Sequence, residues 1–435
     1  MIELNEHPLR RQVVGEMHLR HWPAIHAPML ILQLVNLVTA GDRTREASLL
    51  ETLPEGWRHT RGDNPRHDEG KTNAGHGWVW EHHNEASVFT LFVPRSTPAA
   101  TLLTESDGEL ASALKWIARL PGQVMRATRI SIVNSDAEAE EILDSFAFRK
   151  AELVSCHVGK PPANAPRIWS DFRIAAGQFG QLLIAANDAA PTDLSRLVQR
   201  LQELGNYRNL ALLGLPVARA GWERLDRIEQ ELVTFASKVA HPACDDEAML
   251  DRISELSLDL MSGATGNSFR MAATSAYAKL VDERLEELAP RPIVGFQSLI
   301  DFTRRRLQPA VRTCAANHQR ETELFQKADA FASLLRTRIE TRIQAQNASL
   351  LQSMNRSIDL QLRMQHLVEG LSVVALSYYC VGLLGYMLGG AEAAGMRIPH
   401  AEVLALGTPF IILVVAVGLR RMKQSLLDQH QGFGA

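Results

Sequence analysis

Eight side chains near the C-terminus advance by three or four positions: Gln361, Gln365, Glu369, Ser372, Leu376, Tyr379, Leu383 and Tyr386. On an α-helix that spacing puts them on one face. Arranged around a central axis, the Gln and Glu positions would form rings that attract cations. A ring of Leu376 or Leu383 would be a narrow apolar constriction able to gate by dewetting. Glu369 reads equally as a carboxylate that stays wet at a membrane boundary. Gly385 and Gly389, four apart, fit small-x-x-x-small helix packing.

Two other groups could do chemistry. Arg304, Arg305, Arg306 and Arg312 form a basic patch. It reads first as intersubunit salt bridging or a solvated face, and otherwise as a place for phosphate, acidic lipid or an acidic partner. Histidines gather at His7, His18, His21 and His26, and again with carboxylates at His67, Asp68, Glu69, His76, Glu81, His82 and His83. Imidazole and carboxylate are transition-metal ligands, but none shows the His-Glu-x-x-His spacing of a zinc protease. No metal is expected, and the Glu81-His82 pair reads as a hydrogen-bonded structural element. Asn206, Tyr207 and Arg208 read as a helix-turn contact. A Gly-rich phosphate loop and a Gly-x-Ser-x-Gly elbow are both absent, so neither an enzyme nor a cofactor is expected.

The elements that must carry the eight-residue stripe stand out by composition. Gly370 to Ala391, 22 residues, holds no charged side chain, and neither does the stretch 403–419. About 20 apolar helical residues cross a bilayer. A polar break at 392–402 separates the two, so a C-terminal transmembrane hairpin is expected. Arg356 and Arg363 lie on the near side, and Arg420, Arg421 and Lys423 follow the second span. The loop has only Arg397, offset by Glu392 and Glu402. Basic residues favour the cytoplasm, so both termini are expected there and the loop outside. Residues 1–20 are charged and lack an apolar signal core. By these features the first 360 residues are expected in the cytoplasm, ahead of a membrane hairpin.

The rest of the chain reads as α+β. Residues 1–190 are expected to form a cytoplasmic α/β domain, with strands at 78–82, 87–93, 129–133, 153–158, 167–174 and 181–185. Helices are expected at 27–38, 108–119 and 137–146, the last capped by Asp136. The stretch 58–77, rich in Gly, Asn, His and charge, reads as an exposed loop. Residues 191–309 read as a helical section: a helix capped by Thr192 or Asp193, one entered at Pro216, then 246–261, 269–288 and 294–307, broken at Pro309. From 310 to 369 there is no Pro or Gly, which predicts ~90 Å of continuous helix. Phe325, Ala328, Ala332, Leu335 and Ile339 step along one seam of it, so it must pack on the soluble domain, on copies of itself, or on both. The net charge of −3 argues against nucleic acid as a partner. Cys156, Cys244, Cys314 and Cys380 are scattered and read as reduced thiols.

Segments along almost the whole chain carry a resemblance. They include Asn5-Glu6-His7-Pro8-Leu9-Arg10, Trp80-Glu81-His82 and Ser170-Asp171-Phe172-Arg173. Further on come Tyr207-Arg208-Asn209 through Pro216-Val217-Ala218-Arg219, and Arg305-Arg306-Leu307-Gln308-Pro309-Ala310. The last are Gln346-Asn347 through Gln352-Ser353-Met354, and Gln361-Leu362-Arg363-Met364-Gln365 through Ser372-Val373. On these the chain resembles an uncharacterised family of bacterial membrane-anchored proteins, which brings no activity with it. In layout it is similar to the CorA-type magnesium channel superfamily. That resemblance implies a homopentamer in which the first span lines a cation path and a cytoplasmic domain senses ligand. The superfamily ends its pore helix with Tyr-Gly-Met-Asn. Here the corresponding residues are Leu384-Gly385-Tyr386-Met387-Leu388, without the Asn. The alternative to a cation channel is a membrane-anchored scaffold or sensor.

Overall fold

A computed structural model describes residues 5–10, 13–14, 22–60, 66–102, 108–159, 165–175, 177–239, 241, 245–395 and 399–431. His18, His21, Cys244 and Arg397 lie outside them, as does the side chain of Lys423. The chain divides into two compact units, Met1–Ala332 and Ser333–Ala435.

The first unit is built on a ten-stranded sheet in the order β10-β7-β8-β9-β6-β1-β5-β4-β3-β2. Its strands are β1 (Met29–Leu37), β2 (Arg58–His59), β3 (His67–Lys71), β4 (Gly77–His82), β5 (Ala86–Pro94), β6 (Gln123–Val133), β7 (Val154–His157), β8 (Arg167–Ser170), β9 (Gly180–Ala185) and β10 (Arg291–Pro292). Every ladder is antiparallel except β6–β9. Three helices, α1 (Ala40–Glu51), α2 (Gly108–Ile117) and α3 (Asp136–Leu143), lie among the strands in sequence. After β9 come α4 (Pro191–Leu212), α5 (Gly214–Val239), α6 (Asp246–Leu288), α7 (Leu299–Ala393) and α8 (His400–Gln431).

Strand alternation sorts the core onto two faces. Met29 and Ile31 join Phe92, Ile130 and Ile184 against Val198 and Leu201 of α4, Val281 of α6 and Phe302 of α7. Leu30, Leu32 and Leu34 join Trp78, Phe89 and Leu91 against Leu50 of α1 and Trp116 of α2. The sheet is therefore covered by helices on both sides, which explains a correction. Residues 27–38 are not a helix: β1 is a strand hydrogen-bonded to β5 and β6. A strand buried on both faces loses the polar half of its alternation and reads as a continuous apolar run. Residues 58–77 hold β2 and β3, which extend the sheet from β4 as polar strands.

The helices depart from expectation at four points. Ser135, not Asp136, caps α3: its Oγ accepts the Glu138 N–H at 3.3 Å. Asp136 instead accepts from Asn187 Nδ2 at 2.8 Å. Ala190 is the N-cap of α4, with Pro191 in the first turn, so neither Thr192 nor Asp193 caps it. The stretches 246–261 and 269–288 form one helix, α6, through Gly263. A Cβ there would lie 1.8 Å from Arg224 Nη1, so glycine admits a guanidinium that donates to Asp259 and Glu321. Nor does Pro309 end a helix: α7 runs through it. Both Pro309 and Arg305, whose carbonyl loses its partner, are on the exposed face, where solvent satisfies the acceptor.

Gly205 in α4 does for Arg126 what Gly263 does for Arg224. A Cβ at Gly205 would lie 2.6 Å from Arg126 Nη2. Arg126, on β6, needs that space to reach Gln33, Gln202 and Asn206. Gly205→Ala should lower stability by about 1–3 kcal/mol by overpacking, despite the better helix propensity of Ala. Chemical denaturation of the purified chain would read this, and an unchanged or raised midpoint would contradict it.

Candidate functional site

The second unit holds the stripe. One stretch of α7 and the helix α8 are each long and apolar enough to cross a membrane, and almost none of either is buried. Between residues 340 and 368 every side chain of α7 is exposed. Those side chains include Ile343, Leu350, Leu351, Met354 and Ile358.

Within the spans, α8 covers one face of α7. Ser377 is buried, and Val381, Leu384 and Leu388 are partly covered. Gly407 of α8 meets Leu384, with 3.6 Å between its ideal Cβ and the leucine Cδ2. Gly385 lies against Leu404 at 3.8 Å by the same measure, whereas Gly389 has nothing within 4 Å. The stripe sits differently. Leu376, Tyr379, Leu383 and Tyr386 are exposed, and so are Gln361 and Gln365. Glu369 and Ser372 are partly covered: Glu369 stands 3.8 Å from His366 Nδ1, and Ser372 donates back to the Val368 carbonyl at 2.8 Å. From Leu376 to Tyr386, about three turns of helix, the stripe is thus without cover in a single chain.

The basic patch separates into different contacts. Arg304 pairs with Asp282 of α6 at 3.7 Å. Arg306 lies over the Phe302 ring at 4.3 Å. Arg305 and Arg312 are exposed. Behind Phe302 stands Phe172, ring to ring at 4.7 Å, and then Arg208, 4.7 Å from the Phe172 centroid. A run of like charges in the sequence thus leads, through two stacked rings, to the guanidinium of Arg208.

The histidine groups make pairs. His59 Nδ1 is 2.9 Å from Asp68 Oδ2, and His67 stands 4.0 Å from Glu81. His82 faces Glu46 of α1 at 4.0 Å. His7 Nδ1 accepts the Leu9 N–H at 3.2 Å, and His26 is exposed. Among the described residues no three His, Cys, Asp or Glu side chains are placed to hold a metal ion. Burial pushes the Cys156 thiol up to about 12, so at neutral pH it stays protonated and unreactive.

Asn206 belongs to a larger polar arrangement than a helix turn, whereas Arg208 lies against the Phe172 and Phe302 rings. Arg126 Nη1 donates to Gln202 Oε1 and Asn206 Oδ1, both at 2.7 Å, and to Gln33 Oε1 at 3.3 Å. Asn206 Nδ2 also donates to Gln33 Oε1 at 3.2 Å, and Gln33 Nε2 to Thr90 Oγ1 at 3.1 Å. Glycine at position 205, beside Asn206, was the one sequence sign that a side chain enters α4 here.

Comparison with family models gives one match: the family described as Protein of unknown function (DUF3422), over residues 5–426. No curated protein and no solved structure matches the chain.

Glu46 provides a pH test of the buried polar contacts. Desolvation raises its carboxyl above the ordinary value of 4.5, against the Ser87 hydroxyl, whose hydrogen bond favours the charged form. A raised carboxyl means that the folded state holds the proton more tightly than the unfolded chain. Its stabilisation is complete below the unfolded value and is lost as pH rises through the folded one. Glu46→Gln should therefore melt increasingly above wild type as pH rises from about 5 towards 7. An equal difference at both pH values would show that charge burial at Glu46 does not set it.

Proposed function

We propose that this chain, which belongs to the family of unknown function just described, is a non-enzymatic, oligomeric protein of a bacterial inner membrane. In this reading α7 and α8 span the bilayer, α7 of each copy faces a common axis, and a small cation passes along it. The observation that carries the reading is the uncovered face of α7. Packing of α8 on the side of Ser377, Leu384 and Leu388 leaves Leu376, Tyr379, Leu383 and Tyr386 available to the axis. The exposed Leu350, Leu351, Met354 and Ile358 before the span support self-association. Each large apolar side chain removed from water contributes about 1.5–3 kcal/mol. The basic residues Arg356, Arg363, Arg420 and Arg421 flanking the spans support cytoplasmic termini.

The layout is CorA-like, and five copies would match that superfamily. Leu388, at the place of the superfamily's Asn, favours a second reading. There the hairpin anchors and oligomerises a cytoplasmic scaffold or sensor that transports nothing. Both readings keep the bilayer and copies of the chain as partners.

Flux through proteoliposomes separates them. With the first reading, Glu369→Ala should weaken cation entry and Leu376→Gly should raise leak, each by several-fold. Absence of mono- and divalent cation flux from the wild-type protein would sink conduction and leave the anchored sensor. A monomeric mass in detergent would remove both, since neither axis nor oligomeric anchor would remain.

A further inference from the structure

A cavity of about 350 Å³ opens in the first unit between β6, β9 and α4. Its walls are largely apolar, with Ile168, Leu182, Leu201 and Leu204 among them. Three arginines line it: Arg126 from β6, Arg208 from α4, and Arg173 after β8. That combination, an apolar chamber with a few convergent polar groups, is what small-molecule sites are made of.

Arg126 and Arg208 differ from others in this unit. Arg224, Arg270, Arg284 and Arg320 each meet a carboxylate. Among the described residues no carboxylate lies within ion-pair distance of Arg126 or Arg208. The acceptors around Arg126 are the neutral amides of Gln33, Gln202 and Asn206. Arg208 is held by ring faces, Phe172 at 4.7 Å and Phe302 at 5.4 Å. Burial lowers Arg126 to about 9 and Arg208 to about 10, and the adjacent charges, Arg208 for the first and Arg306 for the second, act in the same direction. Among the described residues no carboxylate supplies the negative charge that would offset this.

The wall near Phe172 is shaped to keep that ring in place. Phe172 adopts a left-handed backbone, φ 52°, a conformation that costs a non-glycine residue about 1–3 kcal/mol. Ser170 Oγ accepts its N–H at 3.0 Å. Arg173 is already engaged by Glu152 through two bonds of 2.7 and 2.9 Å, so its charge is not available to a ligand.

We propose that this cavity binds a small organic anion, with a carboxylate or phosphate head taken by Arg126 and Arg208 and an apolar body against the leucine walls. The head supplies the missing counter-charge through charge-assisted bonds. The volume calls for a body, because a bare inorganic anion would leave most of the chamber empty. The site is independent of whether α7 conducts, because it is read by binding and not by flux.

Calorimetric titration of the full chain in detergent tests it with four probes: phenyl phosphate, benzoate, inorganic phosphate and the uncharged benzyl alcohol. Phenyl phosphate or benzoate should bind and raise the melting temperature, and benzyl alcohol should do neither. Arg208→Met should weaken anion binding at least about tenfold, the worth of one charged hydrogen bond. The same variant should melt no lower than wild type without ligand, because it removes an uncompensated charge. Should Arg208→Met not fold, Arg208→Lys keeps the charge but loses the planar stacking, and should still weaken phenyl phosphate several-fold. Absence of binding by both organic anions, or wild-type binding by a folded Arg208 variant, would overturn the site. Inorganic phosphate binding as tightly as phenyl phosphate would overturn the apolar-body assignment.

Discussion

A guanidinium between a sheet and a helix must find acceptors, and Arg126 finds them on two elements at once. Gln33 comes from β1, while Gln202 and Asn206 come from successive turns of α4. Satisfying this one side chain fixes the height and rotation of α4 over the sheet. The apolar residues of α4 then have a defined place in the main core, where Val281 of α6 and Phe302 of α7 meet the same face. The arrangement is costly in itself, since a buried charge resting on neutral amides is weaker than one on a carboxylate. It persists because the surrounding hydrophobic packing carries the stability, leaving the charge free for another use.

The helix α7 shows how one continuous element can meet two environments. Leu299, Thr303, Leu307, Ala310, Cys314, Asn317, Glu321, Leu324 and Ala328 are buried at three- and four-residue steps inside the first unit. From residue 340 on the same helix has no buried side chain until Ser377. Helical hydrogen bonding is indifferent to this change, because each backbone group is satisfied four residues away. What changes is only what surrounds the side chains: a core in the first stretch, and no cover from this chain between residues 340 and 368.

What was legible in the sequence followed from how local the determining physics is. Charge-free spans announce themselves by composition, and β4 and β5 by short apolar runs with turn residues between them. The strand β1 hid behind its own burial, since Leu30 and Ile31 serve opposite faces and leave no alternation. The hidden strands β2 and β3 are polar: β3 pairs with β4 and β2 with β3, so each is placed by its neighbour and not by its own apolar content. Gly263 looked like a helix boundary because its role is to receive Arg224, 39 positions earlier in the chain. The cavity was the least legible feature. Arg126 and Arg208 are 82 positions apart, and among the described residues neither meets a carboxylate. The visible run Arg304 to Arg306 pointed near the place, but its members turn to Asp282, to solvent and to Phe302.

Both margins of the ten-stranded sheet end in strands of two residues, β2 and β10. The outermost, β10, includes Pro292, which has no N–H to offer a neighbour. Sheets that stop this way cannot lengthen by recruiting a strand from another molecule. A large β-structure is thereby guarded against fibrous, edge-to-edge growth. A ring of copies of the kind proposed would be built on helical surfaces instead.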